Sequence, residues 1–288
     1  MTTATFVGLG AIGTPMSQRI AGAGFAVTGV DPFEAARERA VAAGIDAVAS
    51  IAEAPTTGAV VVMVATGEQL DALVTQAEQA GVAADRLWIV MSTVGPAAVE
   101  SAGARLQGLG ARVVDAPVTG GVARATTGEL IIFASGAQAD LDEAAAVLAP
   151  LGTVRVVGDA LGQGQGIKVV NQHLCSVHIV AAAEALDLGR RLGLDPAAVL
   201  DLVAGGAAGS WMLSDRGPRM LEDDPQVTST IGIFVKDSGL VAEAAEAAGA
   251  EVPVLAAARE RYLAAADAGL DRADDSQVIR TYQTPSQH

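Results

Sequence analysis

The sequence predicts an α/β domain built on a parallel sheet, followed by an all-helical domain. Up to about residue 157, short β-rich runs alternate with alanine-rich segments dotted with charges, the pattern of successive βαβ units. Several of the β-rich runs are continuously apolar, as expected for strands with helices on both faces of the sheet. Beyond residue 162 the strand pattern stops and helical periodicity continues.

The predicted strands share a short run of β-branched or other apolar residues, and they cover 4–8, 26–30, 60–64, 87–91, 111–115, 130–134 and 154–157. Helices are predicted at 15–23, 34–43 and 67–80 between them. From 167 to 192 the only glycine or proline is Gly189, which predicts one long, mostly buried helix. Further helices are predicted at 196–203, 238–248 and 252–268.

We therefore place a domain boundary after residue 161, giving a first domain at 1–161 and a helical domain at 162–288. Three glycines, Gly162, Gly164 and Gly166, follow the boundary directly. Their spacing predicts a shaped turn at the mouth of an interdomain cleft, with a flexible hinge as the alternative.

Composition excludes several classes of partner. The net charge of −15 argues against nucleic acid, which requires clustered basic residues. The single Cys175 rules out an internal disulfide and fits a reducing compartment. The longest apolar runs fall short of the roughly 20 residues that span a bilayer, and the N-terminus lacks the basic start of a signal. We expect a cytoplasmic protein without a membrane partner, and the apolar helical domain suggests a homodimer or homotetramer.

The clearest motif is Gly8-Leu9-Gly10-Ala11-Ile12-Gly13, a G-x-G-x-x-G loop between a predicted strand and a predicted helix. In such a loop the first glycine permits a tight turn, the second lets a pyrophosphate approach the backbone, and the third allows helix and strand to pack closely. The helix start then offers N–H groups and a positive dipole to the phosphates. The first domain is accordingly predicted to be a Rossmann-type doubly wound sheet that binds a dinucleotide.

The choice of dinucleotide is predicted from Asp31, which closes the second predicted strand 18 residues after Gly13. A carboxylate there accepts hydrogen bonds from the adenosine ribose and repels a 2′-phosphate. NAD is therefore the expected cofactor. Arg37 and Arg39 follow closely and could assist a 2′-phosphate, which keeps NADP as the less favoured alternative.

Four motifs in order resemble those of the β-hydroxyacid dehydrogenase family, the relatives of 3-hydroxyisobutyrate dehydrogenase. They are the glycine loop continuing to Met16, the Asp-Ala-Pro-Val-Thr-Gly-Gly string at 115–121, the Gly-Gln-Gly-Gln-Gly-Ile-Lys-Val-Val-Asn string at 162–171, and Lys-Asp-Ser-Gly-Leu at 236–240. Small departures stand at Ile12, at Thr119 and at 63–65. In the C-terminal half, the strings at 172–185, 210–212, 233–237 and 274–279 look most like the branch named for L-threonate dehydrogenase.

The resemblance implies hydride transfer from a hydroxy acid to nicotinamide, with Lys168 as general acid/base and Asn171 beside it as a second catalytic residue. A lysine with its ordinary pKa of about 10.4 is too basic for this task, so the role requires burial or a neighbouring cation. Thr119, Gly120, Gly121 and Lys236 are expected to bind the substrate. The expected cofactor contacts are the loop residues Gly8, Leu9, Gly10, Ala11, Ile12 and Gly13, together with Asp31, Met63, Val64, Thr93 and Lys236.

Other functions stay open on the sequence. Within the family the alternatives are 3-hydroxyisobutyrate dehydrogenase and tartronate semialdehyde reductase. Imine reductases share the architecture but usually replace the catalytic lysine, and a non-catalytic NAD-binding protein is the alternative from another class. No metal site is expected, because His173 and His178 are five residues apart and share no helix face. His173 could contact a polyhydroxy substrate or serve as a core or interface residue.

Overall fold

The computed structural model describes residues 3–283 and divides the chain into two compact units, the first ending at Lys168 and the second beginning at Val169. The domain boundary that we predicted after residue 161 lies seven residues earlier and stays a prediction. Between the two positions the chain has already entered a long helix, which begins in the first unit and continues through the second.

The first unit holds one nine-stranded sheet, and its first six strands are all mutually parallel. Strand β8 is antiparallel to β6 and β7 and parallel to β9, and the spatial order is β3-β2-β1-β4-β5-β6-β8-β7 with β9 beside β8. All seven predicted strands are present. The strands are β1 (Thr3–Val7), β2 (Ala26–Val30), β3 (Asp46–Val48), β4 (Ala59–Val62), β5 (Leu87–Val90), β6 (Arg112–Asp115), β7 (Val118–Thr119), β8 (Leu130–Ser135) and β9 (Gly152–Gly158).

Helices cover both faces of this sheet, which confirms the doubly wound prediction. Phe6 and Ile89 pack on one face beneath the first, second, fifth and sixth helices, whereas Val7 and Trp88 pack on the other beneath the third and fourth. The wholly buried strands explain the continuous apolar runs. The helices are α1 (Gly13–Gly22), α2 (Glu34–Ala42), α3 (Gly67–Ala80), α4 (Pro96–Gly108), α5 (Gly121–Thr127) and α6 (Gln138–Leu148).

The carboxyl ends of β1, β2, β4, β5 and β6 meet at one edge of the sheet because the strands are parallel. Main-chain hydrogen bonds extend the ladder just past the strand ends, from Gly8 N–H to Val30 O (2.9 Å) and from Met63 N–H to Val7 O (2.8 Å). The chain order reverses between β1 and β4, and the crevice outside such a switch point is where open α/β sheets bind ligands.

The second unit consists of helices and one isolated bridge between Thr230 and Asp274, which confirms the all-helical prediction. Its core includes Ile179 and Leu186 with the stacked rings of Phe234 and Tyr262, 5.2 Å apart. No helix within residues 3–283 combines the length and apolar character that a membrane span requires. The helices are α7 (Gln163–Arg191), α8 (Pro196–Ala204), α9 (Trp211–Met220), α10 (Ile231–Ala247), α11 (Pro253–Ala265) and α12 (Arg280–Gln283).

The prediction of a glycine-rich turn at 162–166 is wrong, because α7 begins at Gln163 and includes Gly164 and Gly166. A Cβ added to Gly164 would lie 2.5 Å from Phe133 O and 2.9 Å from Asp115 Oδ2. This glycine therefore lets the first turn of α7 pack directly onto the sheet, and it does not bend the chain.

Candidate active site

The glycine loop is shaped by close packing at its first and third glycines. Gly8 has a φ of +97°, and a Cβ there would stand 2.2 Å from Met63 O. A Cβ on Gly13 would stand 1.9 Å from Gly8 O. Gly10 is different, since it is exposed and a Cβ would meet nothing within 4 Å. The space beside Gly10 is thus open to a ligand, as a pyrophosphate requires.

Helix α1 begins directly after this loop and presents its N-terminus at the same edge. No side chain among residues 3–283 caps it, whereas Thr14 Oγ1 donates to Leu9 O at 3.0 Å and so braces the loop. Thr14 N–H already donates to Gly10 O at 3.1 Å and Pro15 has no N–H, so this end of α1 favours an anion chiefly through the positive end of the helix dipole. The loop and helix therefore fit the anionic centre of a dinucleotide.

Asp31 lies at the end of β2 beside the loop, where its carboxylate is almost wholly buried, with 7% of the residue exposed. Leu9 N–H donates to Oδ2 at 2.9 Å, and Phe33 N–H donates to Oδ1 at 3.0 Å. Each oxygen keeps a further lone pair for a ribose hydroxyl. Arg37, which we considered as a phosphate ligand, donates to the main-chain oxygens of Asp31 and Pro32, both at 2.9 Å.

The next two strand ends, after β4 and β5, carry Met63, Val64 and Thr93, all half-buried. Ser92 joins them, because its Oγ accepts from Val64 N–H at 2.8 Å and donates to Val62 O at 3.4 Å. Ser92 therefore connects the two loops that carry these predicted cofactor residues.

Asp115, at the end of β6, is a buried carboxylate that our sequence reasoning used only as the first letter of a motif. Its Oδ2 accepts from Gly162 N–H (3.1 Å), Gln165 N–H (3.0 Å) and Ser135 Oγ (3.3 Å), and its Oδ1 accepts from Gln165 Nε2 (3.0 Å). Burial raises the pKa of Asp115, and these hydrogen bonds partly oppose the shift. Asp115 thus caps the start of α7, a role that the motif string alone could not reveal.

Lys168 follows in the next turn of α7 and is itself buried, with 6% of the residue exposed. The substrate motif lies elsewhere in the same unit: β7 ends at Thr119, and Gly120 and Gly121 lead into α5 with φ values of +135° and +66°. The first unit therefore contains all predicted site residues except Asn171 and Lys236.

Those two residues belong to the second unit, where a short chain of contacts connects them. Asn171 Nδ2 donates to Gln172 Oε1 at 2.8 Å, and Gln172 Nε2 donates to Asp237 Oδ2 at 2.5 Å. Lys236 Nζ lies 2.9 Å from Asp237 Oδ1. Gln172 and Asp237 are buried and were missed as site candidates, although Asp237 lies within the motif that drew attention to Lys236.

The two histidines lie on the same helix as Asn171 and Gln172. His173 and His178 are half-buried on α7. Within the described part of the chain, no group of three or more His, Cys, Asp or Glu side chains could hold a metal ion.

Two family models match the chain and meet at residue 162. Residues 3–162 match the NAD binding domain of 6-phosphogluconate dehydrogenase, and residues 162–282 match the model described as NAD-binding of NADP-dependent 3-hydroxyisobutyrate dehydrogenase. An L-threonate dehydrogenase from Cupriavidus necator is 39% identical over 280 residues, covering 96% of this chain and 94% of the relative. The chain belongs to the β-hydroxyacid dehydrogenase family.

Solved structures of this family have the same fold. A 3-hydroxyisobutyrate dehydrogenase from Salmonella typhimurium superposes with a TM-score of 0.87 at 33% identity, covering 98% of this chain and all of that one. The Mycobacterium tuberculosis 3-hydroxyisobutyrate dehydrogenase, solved with L-serine, gives 0.88 at 31% identity, covering 99% and 100%. An imine reductase from Streptomyces aurantiacus, at 0.67 and 20% identity, shares the fold alone.

Membership of this β-hydroxyacid dehydrogenase family confirms three predictions: the chain is an oxidoreductase, it uses a nicotinamide dinucleotide, and it acts on hydroxy acids. The roles assigned to individual site residues stay predictions. The same holds for the preference for NAD over NADP, for the cytoplasmic location and for the homodimer or homotetramer.

Proposed function

We propose that the protein oxidises an L-threonate-like sugar acid at a hydroxyl-bearing carbon, with NAD as the hydride acceptor and Lys168 as the general acid/base. The observation that carries the proposal is the placement of Lys168, a buried lysine one turn beyond the Asp115-capped start of α7. The substrate class rests on the 39% identity to the Cupriavidus necator enzyme across almost the whole chain.

The lysine content of the chain supports this role. The chain contains only two lysines, Lys168 and Lys236, and all its other basic side chains apart from histidine are arginines. Arginine keeps its proton at any pH that an enzyme experiences, whereas a buried lysine can release one. Both lysines fall in motifs that the family resemblance connects with the site, and at Lys168 a base is what the reaction needs.

The reaction moves one hydride and one proton. Bound oxidised nicotinamide supplies the hydride acceptor for the carbinol C–H. The neutral amine of Lys168 takes the hydroxyl proton as the C–O bond becomes a carbonyl, and it returns the proton in the reverse direction. Asn171, three residues further along α7, orients the substrate oxygen. The backbone at Thr119, Gly120 and Gly121 receives the substrate carboxylate.

On the cofactor side, Asp31 supports NAD. Its buried carboxylate is fixed by two main-chain N–H groups, so it cannot move aside for a second anion. A 2′-phosphate would bring at least one further negative charge against it.

A second substrate within the same chemistry is 3-hydroxyisobutyrate, favoured by the TM-scores of 0.87 and 0.88 to two 3-hydroxyisobutyrate dehydrogenases. Tartronate semialdehyde reduction is the third. Lys168 and Asn171 both argue against a non-catalytic NAD-binding protein, and Lys168 argues against an imine reductase.

The substrate is tested by assaying threonate, 3-hydroxyisobutyrate, glycerate and serine with NAD and with NADP, following absorbance of the reduced cofactor. The highest kcat/KM is expected for threonate with NAD. A higher value for 3-hydroxyisobutyrate would replace the substrate assignment, and no turnover of any of the four acids would refute the proposed substrates.

The role of Lys168 is tested with Lys168→Ala, which is expected to lose most of kcat and still bind NADH. Lys168→Arg serves as the matched control, because it keeps a positive charge at the same position but cannot release its proton. Reductive methylation with ¹³C labels only the two lysines of the chain and the terminal amine. Because the neutral amine is the active form, the Lys168 signal is expected to titrate over the pH range in which kcat/KM for oxidation falls toward acid, and turnover by Lys168→Ala near the wild-type rate would refute the assignment.

A further inference from the structure

Gln165 is a wholly buried side chain whose hydrogen-bonding groups are all used. Its Oε1 accepts from the N–H groups of Val94 and Gly95, each at 3.1 Å. Its Nε2 donates to Ser92 O at 2.9 Å and to Asp115 Oδ1 at 3.0 Å. Two donors and two acceptors fix which end of the amide is oxygen, and they hold the side chain in one orientation.

Gln165 and its partners belong to three separate parts of the first unit. Ser92, Val94 and Gly95 form the loop after β5, Asp115 ends β6, and Gln165 itself lies in the first turn of α7. The loop after β5 carries Thr93, which the family resemblance places at the nicotinamide side. Lys168 follows Gln165 by three residues on the same helix, which is close to one turn.

The network continues past Gln165 to the loop after β4. Ser92 Oγ donates to Val62 O at the end of β4 (3.4 Å) and accepts from Val64 N–H just beyond it (2.8 Å). Burying an amide is unfavourable unless it is fully paired, so a buried glutamine is a demanding choice for a position that an apolar residue could fill. Full pairing makes it a rigid connection between the loop after β5 and the turn that precedes Lys168.

We propose that Gln165 is a positioning residue that sets the distance between the nicotinamide-side loop at 92–95 and the turn of α7 carrying Lys168. The inference rests on the proposed function, because Gln165 itself contacts neither substrate nor cofactor and acts only through residues with proposed roles. It acts through Thr93 on one side and through Lys168 on the other.

The chemistry of the pairing demands an amide. A glutamate at this position could accept from Val94 and Gly95 but could not donate to Ser92 O, and it would place a second carboxylate beside Asp115. A methionine preserves the volume and makes none of the four hydrogen bonds. The variants Gln165→Glu and Gln165→Met therefore remove, respectively, half and all of the connection.

A matched control lies two residues away in the same helical turn. Gln163 is exposed, and its Oε1 accepts from Ala160 N–H at 3.0 Å, within the turn before α7. Gln163→Met deletes a glutamine of the same helix without touching the loop at 92–95.

The test compares NADH with ADP-ribose, a probe that has the adenosine and pyrophosphate but lacks nicotinamide. For Gln165→Met, the Kd for NADH should rise about tenfold while the Kd for ADP-ribose stays within twofold. kcat should fall about 100-fold, the effect of displacing reacting groups by roughly 1 Å. Gln165→Glu, which also places a buried carboxylate against Asp115 and Ser92 O, is expected to be impaired at least as much as Gln165→Met, and Gln163→Met should match wild type in all three values.

Hydrogen exchange separates positioning from general loss of structure. Amides of the loop at 92–95 should exchange faster in Gln165→Met, while those of α1 should keep their wild-type rates. Equal weakening of NADH and ADP-ribose, or wild-type binding and kcat in a folded Gln165→Met, would overturn the inference alone. If the wild-type protein bound no NADH, the proposed function would fail, and the inference with it.

Discussion

Replacing Gly10 by alanine separates the binding of the dinucleotide from the folding of the loop that binds it. A Cβ at Gly10 meets no atom within 4 Å, and its φ lies outside the positive range. A glycine replaced by alanine without strain stabilises a protein by about 0.4–1 kcal/mol. The Tm of Gly10→Ala should therefore equal or slightly exceed that of the wild type, by up to about 4 °C.

Binding should respond in the opposite direction. The new methyl group would occupy the open side of the loop, where we predict that the pyrophosphate approaches the backbone. Losing one hydrogen bond to a charged group costs about 1.5–3 kcal/mol, which corresponds to a Kd for NADH about 10- to 150-fold higher. NADH fluorescence titration measures the Kd, and a thermal melt of the same sample measures the Tm.

Gly13→Ala is the contrasting variant. Its Cβ would lie 1.9 Å from Gly8 O, so an ordinary contact of about 3.4 Å requires the main chain to move by about 1.5 Å. Overpacking of this kind costs about 3 kcal/mol, or about 6–12 °C in Tm. Gly10→Ala binding NADH as tightly as the wild type, or Gly13→Ala melting at the wild-type temperature, would contradict the geometry on which both predictions depend.

Two further predictions concern the stability of the second unit. Arg216 forms two hydrogen bonds of 2.9 Å with the buried carboxylate of Asp275. Arg216→Ala should therefore lower the free energy of unfolding in urea by about 3–5 kcal/mol, because it leaves that carboxylate unpaired, whereas the double variant Arg216→Met/Asp275→Leu should lose clearly less. An equal loss in the two variants would argue against the ion pair. Although burial opposes the shift, hydrogen bonds from Thr228 and Ser276 hold the pKa of Asp274 below its ordinary value. The stabilising contribution of Asp274 should be complete above about pH 4–5 and disappear as the pH falls through its pKa in the folded protein. In Asp274→Asn the free energy of unfolding should therefore fall less steeply as the pH is lowered. An unchanged slope would show that other carboxylates control the loss of stability in acid.

The sequence was sufficient for the parts of the fold that repeat a pattern over several residues. Strands β1, β4 and β5 are buried almost throughout between helices on both faces of the sheet, and this burial produces the apolar runs by which we predicted them. Strands β3 and β7, of three and two residues, are too short to produce any periodicity. Helix α9 was missed because Gly217 and Pro218 lie within it.

The candidate site was predictable only as motifs and not as a network. Asp115 accepts from Gly162 and Gln165, which are 47 and 50 residues away, and Gln165 reaches Ser92 across 73 residues. Because of these distant partners, a glycine-rich string that locally favours a turn instead becomes the start of a helix. Local propensity cannot report a cap that another strand supplies, and only the folded sheet brings the two together.

The double engagement of Asp31 has a consequence for anyone who wishes to redesign the enzyme's cofactor preference. The carboxylate that would repel a 2′-phosphate also holds Leu9 N–H, so a basic residue at position 31 would loosen the glycine loop while attracting the phosphate. Asp31→Asn is the smallest exchange that removes the charge and keeps an oxygen for Leu9 N–H. A variant intended to use NADP should therefore keep a hydrogen-bond acceptor for Leu9 N–H at position 31 and place the new positive charge on another residue.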